Sequence, residues 1–267
     1  MLSPIINVMS AAAIKAGKGL MRDFGEVDQL QISKKGTSNF VTESDIRTEK
    51  LLRKELSAAR PTYGFLLEEG GEIAGKDPFR RWIIDPLDGT TNFIHAIPYF
   101  CISIALEERD AKGKSEIIAG LIYDPIHNEI FSAEKNKGAF LNNRRLMVSA
   151  RAKFEDSMLA TSNPRMSLKD NHDVFALFDN LSQSGAAIRG FGATALDLAY
   201  LAAGRLDGCW YHTIQPWDIA AGLLLVHEAA GVTSELGGQP ANAYSKTLLA
   251  TNQPLSQAMR KLISKAA

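Results

Sequence analysis

Two carboxylates three residues apart, Asp85 and Asp88, lie in a turn broken by Pro86 and Gly89, and two hydroxyls, Thr90 and Thr91, follow at once. The apolar triplet Trp82-Ile83-Ile84 delivers this turn as a β-prone run would. A buried strand has no need of such an ending, but a divalent cation does. Further acidic positions stand at the ends of other expected elements. Glu68 and Glu69 follow the apolar run Gly64–Leu67, and Asp218 opens a helix that begins at Trp217. A carboxylate at a helix N-terminus is favoured by the dipole, and the free N–H groups there suit ligand chemistry. Taken singly, each residue has an ordinary reading as a surface charge, a turn former or a helix-end charge. Gathered in one site, the carboxylates would repel and raise one another's pKa. Hard cations with oxygen ligands remove that conflict, and Mg²⁺, at ~2.1 Å with several retained waters, fits the set. Gly89-Thr90-Thr91 adds a tight turn whose backbone N–H groups can hold phosphate oxygens. An acidic metal site beside a phosphate nest is equipment for metal-assisted phosphate hydrolysis. Two ions ~3.5–4 Å apart can stabilise both the entering and the leaving oxygen. Zinc is not indicated, because the five histidines show neither HExxH nor Cys/His spacing. His95 and His212 lie near the motifs and read as positioning or surface residues.

These residues need elements to place them. Pro4 to Phe24 reads as an amphipathic helix stopped by Gly25, and Lys34 to Asn39 as a polar loop. Thr42 and Asp45 have capping-box spacing, which predicts a helix from Thr42 through Leu56 that ends before Pro61. Gly64–Leu67 and Trp82–Ile84 read as strands, with Gly70-Gly71 as a turn between them. Phe100–Glu107, Ile117–Tyr123 and Glu129–Ala133 also alternate as strands, and Asn142-Asn143 marks a hairpin turn. In the second half, strands at Met158–Thr161, Leu206–Tyr211 and Val232–Ser234 alternate with four helices. These run over Asn171–Leu181, over Thr194–Ala203 closed by Gly204, over Trp217–Ala230, and from about Pro254 onward. The reading is α/β: a strand-rich α+β lobe over 1–150 that carries the metal and phosphate motifs, and an α/β lobe over 151–267 that carries Asp218. With no repeat or linker between them, the two share one core as a single catalytic unit over 1–267.

Composition narrows the class. The chain has 267 residues, 45% hydrophobic and 22% charged, which is ordinary globular usage with length enough for a sizeable core. Its formal net charge is zero, so no global field favours nucleic acid or an anionic membrane. Cys101 and Cys209 form no CxxC pair and no disulfide framework. They read as buried structural thiols in a reducing compartment. No run approaches the ~18 apolar residues of a membrane span, and the N-terminus lacks a basic start. A cytoplasmic location is the expectation.

The motifs together resemble the inositol monophosphatase family of magnesium-dependent, lithium-sensitive phosphatases. The resemblance rests on Val41-Thr42-Glu43-Ser44-Asp45, Leu66-Leu67-Glu68-Glu69-Gly70, the run Trp82–Phe93, and Pro216-Trp217-Asp218-Ile219-Ala220-Ala221-Gly222, and it runs across nearly the whole chain. It implies a layered αβαβα sandwich of the sugar phosphatase type, a cytoplasmic homodimer, and two to three Mg²⁺. It also implies roles for single residues. Asp85, Glu68 and the Leu87 carbonyl would bind the first ion. Asp85 would bridge to a second with Asp88 and Asp218, and Glu68 would help hold a third through water. Thr90 would orient the attacking water, Asp45 would accept the Thr90 hydroxyl proton, and Glu68 would share in activating the water. The Gly89 and Thr90 N–H groups would hold phosphate, and Asp88 would also touch the substrate alcohol.

Departures from the family pattern fall on the substrate side. Leu67 stands where a Gly usually precedes the Glu-Glu pair. Tyr211 stands where members acting on inositol phosphates carry a Glu seven residues before the C-terminal Asp, and the stretch bordering the sugar hydroxyls reads Gly192-Ala193-Thr194-Ala195. Ala193, Thr194 and Tyr211 are therefore the candidate substrate-selecting residues. The resemblance points to inositol 1-phosphate or a related small phosphorylated polyol. Histidinol phosphate, fructose 1,6-bisphosphate and a 3′-phosphonucleotide stay open. So does a binding role with the transcription machinery, in which hydrolysis is secondary.

Overall fold

Residues 3–30, 37–162 and 172–264 are described by a computed structural model of the chain. Strand alternation explains the layering. Along β3 (Arg80–Asp88), Trp82 and Ile84 face one apolar cluster and Ile83 faces another. Along β11 (Gly208–His212), Cys209 and Tyr211 face that second cluster, while Trp210 enters a third. Side chains alternate across a strand with period two, so each sheet separates two cores. The first core joins α1 (Pro4–Leu30) and α2 (Thr37–Ala59) to the larger sheet. The second packs α5 (Thr194–Ala202) and α6 (Pro216–Glu228) between the two sheets. The third sets α7 (Gln253–Ser264) and Leu181 of α4 (His172–Gln183) on the far face of the smaller sheet. The result is an αβαβα sandwich.

The larger sheet has eight strands in the order β2-β1-β3-β4-β5-β6-β7-β8, from β1 (Gly64–Leu67) and β2 (Gly71–Ile73) through β4 (Cys101–Arg109), β5 (Ser115–Asp124), β6 (Glu129–Glu134), β7 (Gly138–Leu141) and β8 (Arg144–Arg145). The smaller has five in the order β10-β9-β11-β13-β12, with β9 at Met158–Thr161, β10 at Ala187–Arg189, β12 at Val232–Ser234 and β13 at Thr247–Thr251. β1 and β3 pair in parallel; the other pairs of the larger sheet are antiparallel.

Several expectations are corrected. α1 does not stop at Gly25 but continues to Leu30. A helical Gly costs ~1 kcal/mol against Ala, and burial of Val27 two residues further on outweighs it. α2 starts at Thr37, so Thr42 lies inside the helix rather than capping it. The Lys34–Asn39 loop is thus partly helical, and its first three residues, like Asn171, fall outside the described residues. β3 does not end at Asp85: it runs to Asp88 through an irregularity, because Asp85 pairs with Ser103 and Asp88 with Cys101. One extra residue on the β3 side makes this a bulge, the usual device for re-aiming side chains beside a site. The hairpin turn at Asn142-Asn143 stands as expected, with φ of 44° and 71°.

Candidate active site

Parallel pairing brings the first two carboxylates together. Leu66 is opposite Ile83 and Leu67 opposite Ile84, so the next residues, Glu68 just past β1 and Asp85 within β3, stand at the same level. The Glu68 N–H donates to the Ile84 carbonyl at 3.3 Å and holds this register past the end of β1. A side-chain hydrogen bond links Asp85 and Glu68. Asp85 Oδ1 also accepts the Leu87 N–H at 2.9 Å, which fixes the carboxylate within the bulge. Asp88, three residues on, accepts the Ala195 N–H on Oδ2 at 2.6 Å and the Cys101 thiol on the same oxygen at 3.8 Å.

The remaining acids come from helices. Asp218 is the third residue of α6, and its Oδ2 accepts the Gln215 N–H at 2.8 Å in a capping box with the Gln215 side chain. Gly120 of β5 and Gly222 of α6 allow α6 to lie this close. A Cβ at Gly120 would meet the Ala221 carbonyl at 2.9 Å, and one at Gly222 would meet the Leu198 side chain at 2.5 Å. Asp45 is buried on α2, and its Oδ1 has no hydrogen-bond partner. One turn along the same face, Glu49 Oε2 accepts the Glu69 N–H at 2.9 Å and ties α2 to the end of β1.

After Asp88 the chain turns at Gly89, whose φ of 96° lies in the left-handed region. A Cβ there would also meet the Tyr99 carbonyl at 2.9 Å. Thr90 opens the short helix α3 (Thr90–Ile94). The Thr90 hydroxyl donates to the Leu87 carbonyl at 2.9 Å, not to Asp45. A carbonyl has two lone pairs, so Leu87 keeps one for another partner.

The electrostatics show what the site lacks. Burial, followed by the charges of Glu68, Glu69 and Glu49, pushes Asp45 up to about 8. Burial pushes Glu68 up to about 7, against the opposing hydrogen bond from Asp85 and with Asp218 adding to the rise. Asp85 is held well above the ordinary carboxylate range first by burial and then by the charges of Glu68, Asp88 and Asp218. Asp88 is raised likewise by burial and then by Asp218, with Asp197 and Glu68 adding to the rise against the Ala195 N–H. Burial lifts Asp218 to about 6 despite the Gln215 N–H. These carboxylates are stable together only with shared protons or with cations. Among the described residues, no three His, Cys, Asp or Glu side chains converge tightly enough to hold an ion as they stand. The donor set still fits a hard cation: every member is a carboxylate or carbonyl oxygen, and the orphaned oxygen of Asp45 faces the same cluster of charge.

The substrate-side candidates are placed differently. Tyr211 is 1% exposed, and its hydroxyl donates to Asp197 at 2.6 Å. It is a core residue here, packed between the sheets with its hydroxyl committed to Asp197. Ala193 is buried as the N-cap of α5, and Thr194 is half-buried beside it. The sequence reading missed Glu49, Asn92, Cys101 as a thiol donor, and Asp197. Of these, only Glu49 carried a signal, its spacing of four from Asp45 on one helix face.

A model of the inositol monophosphatase family matches residues 1–267. The chain is 46% identical over 266 residues to an inositol-1-monophosphatase of Rhizobium meliloti, covering 98% of this chain and 97% of that one. It is 37% identical to the Nus factor SuhB of Escherichia coli K12, covering 97% and 95%. The crystal structure of the extragenic suppressor protein suhB from Bartonella henselae superposes with a TM-score of 0.88 at 45% identity, covering 99% of this chain and all of that one.

Proposed function

We propose that this chain, which belongs to the inositol monophosphatase family, hydrolyses inositol 1-phosphate with Mg²⁺. That it is a phosphatase follows from the family. The metal and the substrate are our reading. The observation that carries it is the parallel β1–β3 register, which sets Glu68, just past β1, beside Asp85 in the bulge of β3, next to the Asp88–Thr90 turn. Glu68, Asp85, Asp88, Asp218 and the Leu87 carbonyl would hold the ions. Mg²⁺ in such a site supplies Lewis-acid stabilisation of phosphate oxygens at neutral pH.

The chain's own groups do the rest. Gly89, with no Cβ, leaves the N–H groups of Gly89 and Thr90 open to phosphate oxygens. The Thr90 hydroxyl, held on the Leu87 carbonyl, would orient the water that attacks phosphorus. Asp45, with one carboxylate oxygen unpartnered, would accept the proton. The Ala195 N–H at the start of α5 holds Asp88, which would touch the alcohol portion of the substrate. Positioning and charge, not a covalent intermediate, carry the reaction.

The test is a panel of inositol 1-phosphate, histidinol phosphate, fructose 1,6-bisphosphate and a 3′-phosphonucleotide, compared by kcat/KM with and without EDTA. Hydrolysis should vanish with EDTA, return with Mg²⁺, fall with lithium, and favour inositol 1-phosphate. Equal turnover by metal-free protein would overturn the mechanism; a preference outside the polyols would overturn the substrate alone. The similarity to a Nus factor favours a second reading, a partner of the transcription machinery. An Asp85→Asn chain that is inactive yet complements loss of the gene would support it.

A further inference from the structure

Asp197 is a carboxylate that the site described so far does not use. It lies in the first turn of α5, 1% exposed. Its Oδ1 accepts the Tyr99 hydroxyl and its Oδ2 the Tyr211 hydroxyl, both at 2.6 Å. Among the described residues no Lys or Arg forms an ion pair with it. A carboxylate buried without a cation is costly, and apolar residues of the same volume would stabilise such a site more. What the arrangement does provide is geometry, because three separate segments meet at one residue.

The first segment is the one against which the phosphate turn is packed. Tyr99 supplies the carbonyl that a Cβ at Gly89 would strike. The same carbonyl accepts Asn92 Nδ2 at 2.8 Å, and that amide also donates to the Phe191 carbonyl at 2.7 Å. The Tyr99 ring stacks on Phe191 with centroids 5.0 Å apart. The second segment is the start of α5, where the Ala195 N–H reaches Asp88. The third is β11, which leads from Tyr211 into the α6 cap that holds Asp218.

We infer that Asp197, clamped by Tyr99 and Tyr211, is a positioning residue that keeps the α5 N-terminus in register with the phosphate turn, and so fixes the aim of Asp88 through the Ala195 N–H. It acts through other residues and touches neither substrate nor ion. This rests on the function proposed above for Asp88.

The test uses the full chain with Mg²⁺ as the probe. Mg²⁺ affinity is measured by calorimetry without substrate, and kcat and KM are measured separately on inositol 1-phosphate. Tyr99→Phe and Tyr211→Phe each remove one hydroxyl and leave the ring in place; Asp197→Asn removes the charge. Groups that orient metal ligands from behind typically matter on the order of 10-fold, so each variant should weaken Mg²⁺ binding or lower kcat by about that factor. The effects should also be non-additive: Asp197→Asn with Tyr211→Phe should be no worse than Asp197→Asn alone. A purely structural role would lower the melting temperature and leave Mg²⁺ affinity and kcat of the folded fraction unchanged, and that result would overturn the inference. If Asp197→Asn fails to fold, the two Phe variants decide. Wild-type affinity together with wild-type kcat in every variant sinks the inference alone; an unaltered protein that binds no Mg²⁺ sinks the proposed function with it.

Discussion

Asp85 answers to several neighbours at once. It accepts the Leu87 N–H, shares a hydrogen bond with Glu68, and lies within the field of Asp88 and Asp218. Asn in its place would keep the Leu87 acceptor and bring an amide able to donate to Glu68, so Asp85→Asn should fold. The same holds for Asp218→Asn, which keeps an acceptor for the Gln215 N–H. Both lose the charge that a cation needs. If the cation supplies several kcal/mol of transition-state stabilisation, each variant should lose at least about a hundredfold in kcat/KM. The metal-free melting temperature should stay the same or rise, since a buried carboxylate has been removed. A collapse of the circular dichroism spectrum in either variant would refute that separation of charge from fold. At this scale the sequence was legible where chemistry and local spacing coincide, as in Asp85, Asp88 and Gly89. Asp197 was not, because nothing near it in sequence predicts that Tyr99 and Tyr211 will meet it across the fold.

The elements that place these residues depend on close backbone approach. α6 lies between the larger sheet and α5 because Gly120 and Gly222 lack side chains. Gly222→Ala would put a methyl into Leu198, and Gly120→Ala one into the Ala221 backbone. Overpacking of this kind costs about 1–3 kcal/mol. Each should lower the urea midpoint with an unchanged m-value, and because α6 carries Asp218, Mg²⁺ affinity should fall as well. A variant with wild-type stability would mean that α6 can shift freely. Gly89→Ala should behave differently. A left-handed alanine costs roughly 1–2 kcal/mol, but its Cβ also meets the Tyr99 carbonyl in the phosphate turn, so activity should suffer more than stability. Element boundaries were legible where one signal dominated, as in β1 and α6, whose apolar runs end at charged residues. They failed where tertiary burial overrode a local rule. Gly25 reads as a stop until the packing of Val27 is known, and Thr42 has the spacing of a cap although the helix starts at Thr37. β10 and β13 lacked a clear signature because pairing, not alternation, makes them strands.

Across the whole molecule the acids form one titrating system. The site draws Glu68, Asp85 and Asp88 from the larger sheet, Asp45 from the layer outside it, and Asp218 from the layer between the sheets. Asp45 is raised to about 8, Glu68 to about 7, Asp218 to about 6, and buried Asp197 to about 7. In the unfolded chain these groups titrate near ~4. Between about pH 4 and 8 the metal-free native state therefore holds more protons than the unfolded state, and its stability must fall as pH rises through that window. Cations act in the opposite sense. They bind the deprotonated carboxylates of the native site and stabilise by mass action, about 2.7 kcal/mol at a concentration of 100 Kd, or roughly 2–4 °C in melting temperature per kcal/mol for a chain near this size. Protons compete with them, so the rise in melting temperature on adding Mg²⁺ should be large at pH 8 and small at pH 5.5. The EDTA-treated protein alone should melt higher at pH 5.5 than at pH 8. Melting curves at both pH values, with and without Mg²⁺, measure all four terms. A Mg²⁺ shift that is the same at both would mean that the ion binds away from these carboxylates. In Asp85→Asn the Mg²⁺ shift at pH 8 should shrink while the Asp197 contribution to the pH slope persists, which separates the metal site from the buried clamp behind it.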